Sequence, residues 1–189
     1  MAKVSFVHMA DGTAEDYRII AAGMHAADDH LADEVLRLLQ ANETIDLGYR
    51  VDRLVHSLQS ATLAYRDGAD EETVVAALLH DVGDTLAPWN HAEVAAAILK
   101  PYVAARTHWI VAKHGLFQTY YYNHHFGRDR NERDRFRGHP HYEATCAFCA
   151  KYDQNAFDPD FDTMPLAAFE PMVRGLFERA PGHDLATED

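Results

Sequence analysis

The sequence has almost no cysteine, no long apolar run and few positive charges. Two cysteines in 189 residues, Cys146 and Cys149, are too few for a disulfide framework or a four-thiolate zinc site. They lie in Cys-Ala-Phe-Cys, within a helical pattern, and read as buried or idle thiols rather than a redox loop. No stretch approaches the roughly 18 consecutive apolar residues that a membrane-spanning helix needs. The N-terminal residues show no basic stretch followed by an apolar core, so no signal peptide is expected and the chain reads as cytoplasmic. Lys and Arg number 17 against 30 Asp and Glu, a formal charge of −13. That surplus repels phosphate backbones and anionic lipid, which argues against nucleic acid and membrane surfaces as partners. Part of it sits in Ala26-Ala27-Asp28-Asp29 and in the terminal Thr187-Glu188-Asp189, which read as a solvated helix face and a tail. Internal repeats, low-complexity linkers and strand patterns are also missing.

What remains is helical patterning and histidine. Hydrophobic residues make up 48% of the chain, enough for one domain over 1–189 with a real core. Thr13 and Asp16 have the spacing of a capping box, opening a helix over 14–40 that can break near Gly23. A second helix is expected over 49–66, ended by Asp67-Gly68, and a third over 71–82. The third is apolar nearly all round in Val74-Val75-Ala76-Ala77-Leu78-Leu79, which marks a central helix. Asn90 suits the cap of a fourth helix over 91–100, and Pro101 the start of a fifth ending near Lys113 or His114. The aromatic, charged stretch 115–140 reads as an excursion or short helices. A helix over 141–152 and a last one opened by Pro171 complete the pattern. The fold class is all-α.

Thirteen histidines stand out. Most isolated histidines are structural, but Leu78-Leu79-His80-Asp81 sets two ionisable groups at the end of the most apolar helix. An unpaired buried carboxylate costs several kcal/mol, which a metal or strong pairing must offset. Neighbours on a helix project about 100° apart, so the imidazole can face one ion while the carboxylate bridges two. Spacing alone does not select further ligands from the remaining histidines.

Four more segments matter: Leu54-Val55-His56-Ser57-Leu58-Gln59-Ser60-Ala61, His91 after the run His80-Asp81-Val82-Gly83, Lys113-His114-Gly115-Leu116-Phe117-Gln118, and Lys151-Tyr152-Asp153. In this order they resemble the HD-domain superfamily of metal-dependent enzymes, over Val51 to Asp153. The resemblance implies a single-domain helical bundle, its motif-bearing core at about 44–156, around a central dinuclear site. It implies His56, His80, Asp81, His91, His114 and Asp153 as metal ligands, with Asp81 bridging. His108 is the alternative to His114.

Two branches of the superfamily compete. The first-ligand helix and the spacing from His91 to His114 are similar to the mixed-valent di-iron oxygenases that cleave organophosphonates. Lys151-Tyr152-Asp153 is similar to the last-ligand segment of myo-inositol oxygenase. This reading implies two irons (Fe2+/Fe3+), dioxygen and a small hydroxylated polar substrate. The alternative is a phosphohydrolase acting on a nucleotide or phosphomonoester with other divalent transition metals. Many HD hydrolases carry Lys three residues after the HD aspartate, where this chain has Asp84. The phosphonate oxygenases carry Lys where this chain has Gln118 and Glu where it has Tyr49, so the substrate is not carried over. Asp81, Lys113 and Gln118 are expected to take part in catalysis, and Gln118, Tyr121, Lys151, Arg135 and Arg137 to bind substrate. A third reading is a non-enzymatic helical sensor with a decayed site.

Overall fold

The structure, a computed structural model, describes residues 2–179 and 181. Among these residues it consists of eight α-helices joined by turns and short 3-10 helices, with no strand. The terminal Thr187-Glu188-Asp189 lies outside the described residues.

Helix α1 (Ala14–Asp28) opens on the expected capping box: the Asp16 N–H donates to Thr13 Oγ1 and the Thr13 N–H donates to Asp16 Oδ2. The chain breaks at Asp29 and His30, not at Gly23. It restarts as α2 (Leu31–Ala41), whose one-sided apolar face buries Val35, Leu36 and Leu39. Helix α3 (Arg53–Arg66) begins later than expected because the Asp52 carboxylate caps it, accepting from the Val55 N–H at 2.8 Å. Gly68, at φ +74°, reverses the chain after it.

Helix α4 (Glu71–Leu79) is capped by Asp70 and buries every residue from Val74 to Leu79 to 1% exposure or less. It stops before Val82. Tight turns follow, with the Val82 N–H on Leu79 O and the Asp84 N–H on Asp81 O, both at 3.0 Å. These turns lift His80 and Asp81 off the helix end. Helix α5 (His91–Leu99) has Asn90 at its cap position, but the Asn90 amide reaches Glu93 rather than the helix backbone.

Helix α6 (Ala105–Gln118) starts after Pro101, which lies in a turn, and runs a turn past its expected end. Phe117, fully buried, anchors that extra turn. Three 3-10 helices, Thr119–Tyr121, Asn123–Phe126 and Glu132–Phe136, form the excursion. Helix α7 (Tyr142–Lys151) and a 3-10 turn Asp153–Asn155 follow. Helix α8 (Leu166–Phe177) holds Pro171 inside it instead of starting there. The burial of Phe169, Val173, Leu176 and Phe177 along one face outweighs the hydrogen bond that proline removes.

Helix α3 packs on α4, α5 on α6 and α6 on α7, with α8 across α4 and α2. His56 lies early in α3, His80 just past α4, His91 first in α5, His114 late in α6, and Asp153 just past α7. The short connections from α3 to α6 bring the first four points to one end of the bundle, and the excursion after α6 lets the end of α7 deliver Asp153 to the same place. No described helix is long and apolar enough to cross a membrane. Leu79 has no solvent exposure beneath this end. Leu79→Ala should cost about 2–5 kcal/mol in urea unfolding, as large-to-small changes in packed cores do. A cost below about 1 kcal/mol would show that α4 is not the packed centre.

Candidate metal centre

Each imidazole of the cluster is aimed by its Nδ1. In His56 this atom lies 3.0 Å from Ala156 O, in His80 2.8 Å from Ala77 O and in His114 2.7 Å from Val111 O. In His91 it lies 3.3 Å from Pro88 O and 3.1 Å from Asp84 Oδ1. A carbonyl accepts only from N–H, so Nδ1 carries the proton in each of these bonds. The neutral tautomer then leaves an Nε2 lone pair for a cation.

Those four Nε2 atoms converge on one carboxylate. Asp81 Oδ2 lies 3.3 Å from His56 Nε2 and 3.0 Å from His80 Nε2. Asp81 Oδ1 lies 3.1 Å from both His91 Nε2 and His114 Nε2. Asp153 Oδ1 adds to the first group, 3.4 Å from His56 Nε2. His56, His80, Asp81, His114 and Asp153 are buried, whereas the His91 side chain is 23% exposed. The six ligands that the resemblance implies are thus brought together, in three overlapping groups of which two share Asp81 and the third joins His80, His114 and Asp153. His114, rather than His108, faces Asp81. The other histidines of the excursion stay apart: His139 stacks on Trp109 at 3.4 Å and touches His141, and His124 packs on His125.

The donor set fits metal ions. Asp153 Oδ1 accepts from Gln118 Nε2 at 2.9 Å, but the buried Asp153 Oδ2 has no partner among the described residues. A buried carboxylate oxygen without a donor is costly, and a cation meets that need. Mixed imidazole and carboxylate donors suit iron, manganese, cobalt or zinc better than magnesium or calcium.

Three residues that sequence reasoning missed as braces hold the cluster in shape. Arg53 is buried and pairs with Asp81 Oδ2 through Nη2 and with Asp84 Oδ2 through Nε. Burial disfavours its charge, but the Asp81 and Asp84 carboxylates outweigh that and keep it firmly protonated. Asp84 in turn braces His91. The only sequence signal for this was its place three residues after Asp81. Asn42 Nδ2 donates to Asp81 O at 3.0 Å, fixing the same turn from just past the end of α2. Phe157 stacks on His56 at 4.4 Å and Tyr49 on Phe157 at 4.6 Å, so Tyr49 belongs to the wall of the centre.

The other expected residues divide. Gln118 reaches a ligand, and Tyr121, half-buried, has its hydroxyl pKa raised by burial, with Cys149 and Asp153 adding to the shift. Lys151 lies apart from the cluster: its ammonium pairs with Asp67 at 2.7 Å, past the C-terminus of α3 and about 16 Å along that helix from His56. Arg135 and Arg137 are spent on Glu132 and Asp134, and Lys113 lies over Trp109 and Phe136. Cys146 and Cys149 are free thiols, as expected. Burial pushes the Cys149 thiol well up, and it donates to His114 O.

Charge in the metal-free cluster is carried by protons. Burial disfavours protonated His56, but bonds to Asp153 and Asp81 overcome that and raise it to about 9. His91 is likewise raised to about 9 against burial, by Asp81 and then Asp84. Both values stand above the ordinary 6.5. Their contribution to stability is therefore full below about pH 6.5 and lost as pH rises through about 9. Chelator-stripped protein should show this decline in urea titrations, and metal binding at neutral pH should release protons in calorimetry across buffers. A flat profile through that window would contradict the proton-filled cluster.

Gly83 gives a geometric prediction. A Cβ there would lie 2.8 Å from both His91 O and Val94 Cβ. Gly83→Ala should push α5 outward and weaken metal binding at His91 and His114 about 10- to 100-fold, sparing metal binding at His56 and His80. Equal weakening of both, read by metal titration, would count against separate halves.

Residues 53–146 match the family model described as HD domain. No curated protein matches the chain. The match spans the first five of the expected ligands, and the structure brings Asp153, beyond its end, to the same cluster. The all-helical bundle, the His/Asp cluster at its end and this match agree: the chain carries an HD domain.

Proposed function

We propose that the chain is an HD-type di-iron oxygenase that uses dioxygen to cleave a small hydroxylated polar substrate. The observation that carries the two-ion part of this reading is Asp81, whose two oxygens face two different imidazole pairs, and Asp84 in the place of the hydrolase Lys inclines it to the oxygenase. When bound, a pair of irons would supply Lewis acidity toward a substrate hydroxyl and the redox capacity that dioxygen chemistry needs.

The chain's own residues do the rest. His56, His80, Asp153 and Asp81 Oδ2 would hold one ion in the deeper half. His91, His114 and Asp81 Oδ1 would hold the other with fewer protein donors, next to the partly exposed His91. The half with fewer donors has room for outside ligands. Gln118 steadies Asp153, and Phe157, stacked between His56 and Tyr49, covers the deeper half. Asp84 stands where many HD hydrolases carry Lys, and it is committed to Arg53 and His91.

Phosphohydrolysis of a nucleotide or phosphomonoester is the second reading. The same shared carboxylate favours it, since a water between two ions is the usual nucleophile of two-metal hydrolysis. Metal analysis and electron paramagnetic resonance separate the two. Protein expressed with iron, handled anaerobically and partly oxidised should hold about two irons per chain and show a coupled Fe(II)/Fe(III) signal. Manganese, cobalt or zinc with phosphate release and no such signal would favour hydrolysis instead. Asp81→Asn should lose both ions together, since one carboxylate serves both halves. Retention of two ions by this variant would refute the shared-carboxylate assignment.

A further inference from the structure

The excursion after α6 allocates its arginines unequally. Arg135 and Arg137 reach carboxylates of their own segment. Arg130 and Arg133 pair with no carboxylate among the described residues. Both guanidiniums instead lie against one ring, 4.0 and 3.7 Å from the centre of Tyr120. The Nε of each is buried without a partner. This happens in a chain with 30 acidic residues against 17 basic ones, where an acid to pair with is seldom far. Two like charges held on one half-buried ring repel each other, and a stacked guanidinium keeps its in-plane N–H donors free for an acceptor.

The pair is joined to the candidate metal centre through neighbouring residues. Tyr120 belongs to the 3-10 helix that continues α6 directly beyond Gln118, the residue bonded to Asp153. Its ring meets that of Tyr121 at 5.4 Å. The Arg133 charge is felt at Tyr121 and at Cys149, whose thiol bonds the His114 carbonyl. Arg133 thus lies between the outer segment and the wall of the cluster.

We infer that Arg130 and Arg133, set on Tyr120, form a receptor for an oxyanion group, carboxylate or phosphoryl, on the substrate that reacts at the His/Asp cluster. This rests on reading that cluster as the catalytic centre. The guanidinium fork matches either oxyanion through paired N–H donors. The receptor fixes one end of the molecule while a hydroxyl at the other end reaches the ions. The substrate class is then a hydroxylated small acid.

The test uses the full chain, metal-loaded and chelator-stripped, titrated calorimetrically with inorganic phosphate and with acetate. The stripped chain should bind at least one of them, and the better binder gives the class. Arg130→Gln combined with Arg133→Gln should weaken that binding at least tenfold, and Arg133→Lys alone should weaken it less than Arg133→Gln alone. Circular dichroism and metal stoichiometry on the same samples confirm that the variants are folded. Unchanged affinity in the folded double variant, or no binding by the stripped wild type, overturns the receptor. If that happens while about two ions still bind, the proposed function survives its loss. Arginine-dependent anion binding in a chain that takes up no metal supports the receptor and defeats the catalytic reading.

Discussion

The structure turns on one buried carboxylate. Asp81 sits at the end of the most apolar helix of the chain, where a bare negative charge is costly. Its surroundings are built to offset that cost. Arg53 reaches it from α3, His80 from its own turn, His56 from α3, His91 from α5 and His114 from α6. Burial opposes its charge, but His80 and Arg53 hold its pKa well below the carboxylate range. Helices that have little else in common along the sequence are thereby tied to one atom pair. The same arrangement gives the cluster its divided form, since each carboxylate oxygen has its own two imidazoles.

The halves differ for reasons of backbone. His56 and His80 hang on backbone carbonyls inside the bundle, and Phe157 covers His56. His91 is the first residue of its helix and owes its aim to Asp84 and to the close approach of Gly83 beneath α5. A ligand on a helix terminus, braced by a neighbour's carboxylate, is easier to displace than one in a helix interior. Binding of outside molecules is best accommodated there, where fewer protein donors and more solvent meet.

Local pattern made part of this legible. The apolar run of α4 announced a central helix, and His80-Asp81 at its end announced a charge that needed a partner. The capping box of α1 and the stop at Asp67-Gly68 also stood in the sequence, because each depends on neighbours in the chain. The ligands beyond His80 and Asp81 were legible only through resemblance, since thirteen histidines offer no local rule for choosing among them. Arg53 and Asp84 were not legible as braces, because their partners lie 28 and 31 residues from Arg53. The break after α1 and the long reach of α6 also depend on distant packing, of Val35, Leu36 and Leu39 in one case and Phe117 in the other.

Cations were the hardest residues to place, and the reason bears on function. A lysine or arginine in sequence says nothing of which neighbour it will take. Lys151 turns to Asp67, Arg137 to Asp134 and Lys113 to two aromatic rings. Such surface pairs contribute little to stability, so each is free to follow local geometry. In a chain so acidic, the default fate of an arginine is a carboxylate. An arginine that avoids one, and is held on a ring beside a carboxylate-rich cluster, has a different physical status. It keeps positive potential outside a cluster whose carboxylates are already matched by Arg53 and by protonated His56 and His91. An anionic group is drawn to arginines whose charge is unmatched rather than to a cluster whose charges are already paired, so the order of charges itself separates the place where a substrate is held from the place where it would react.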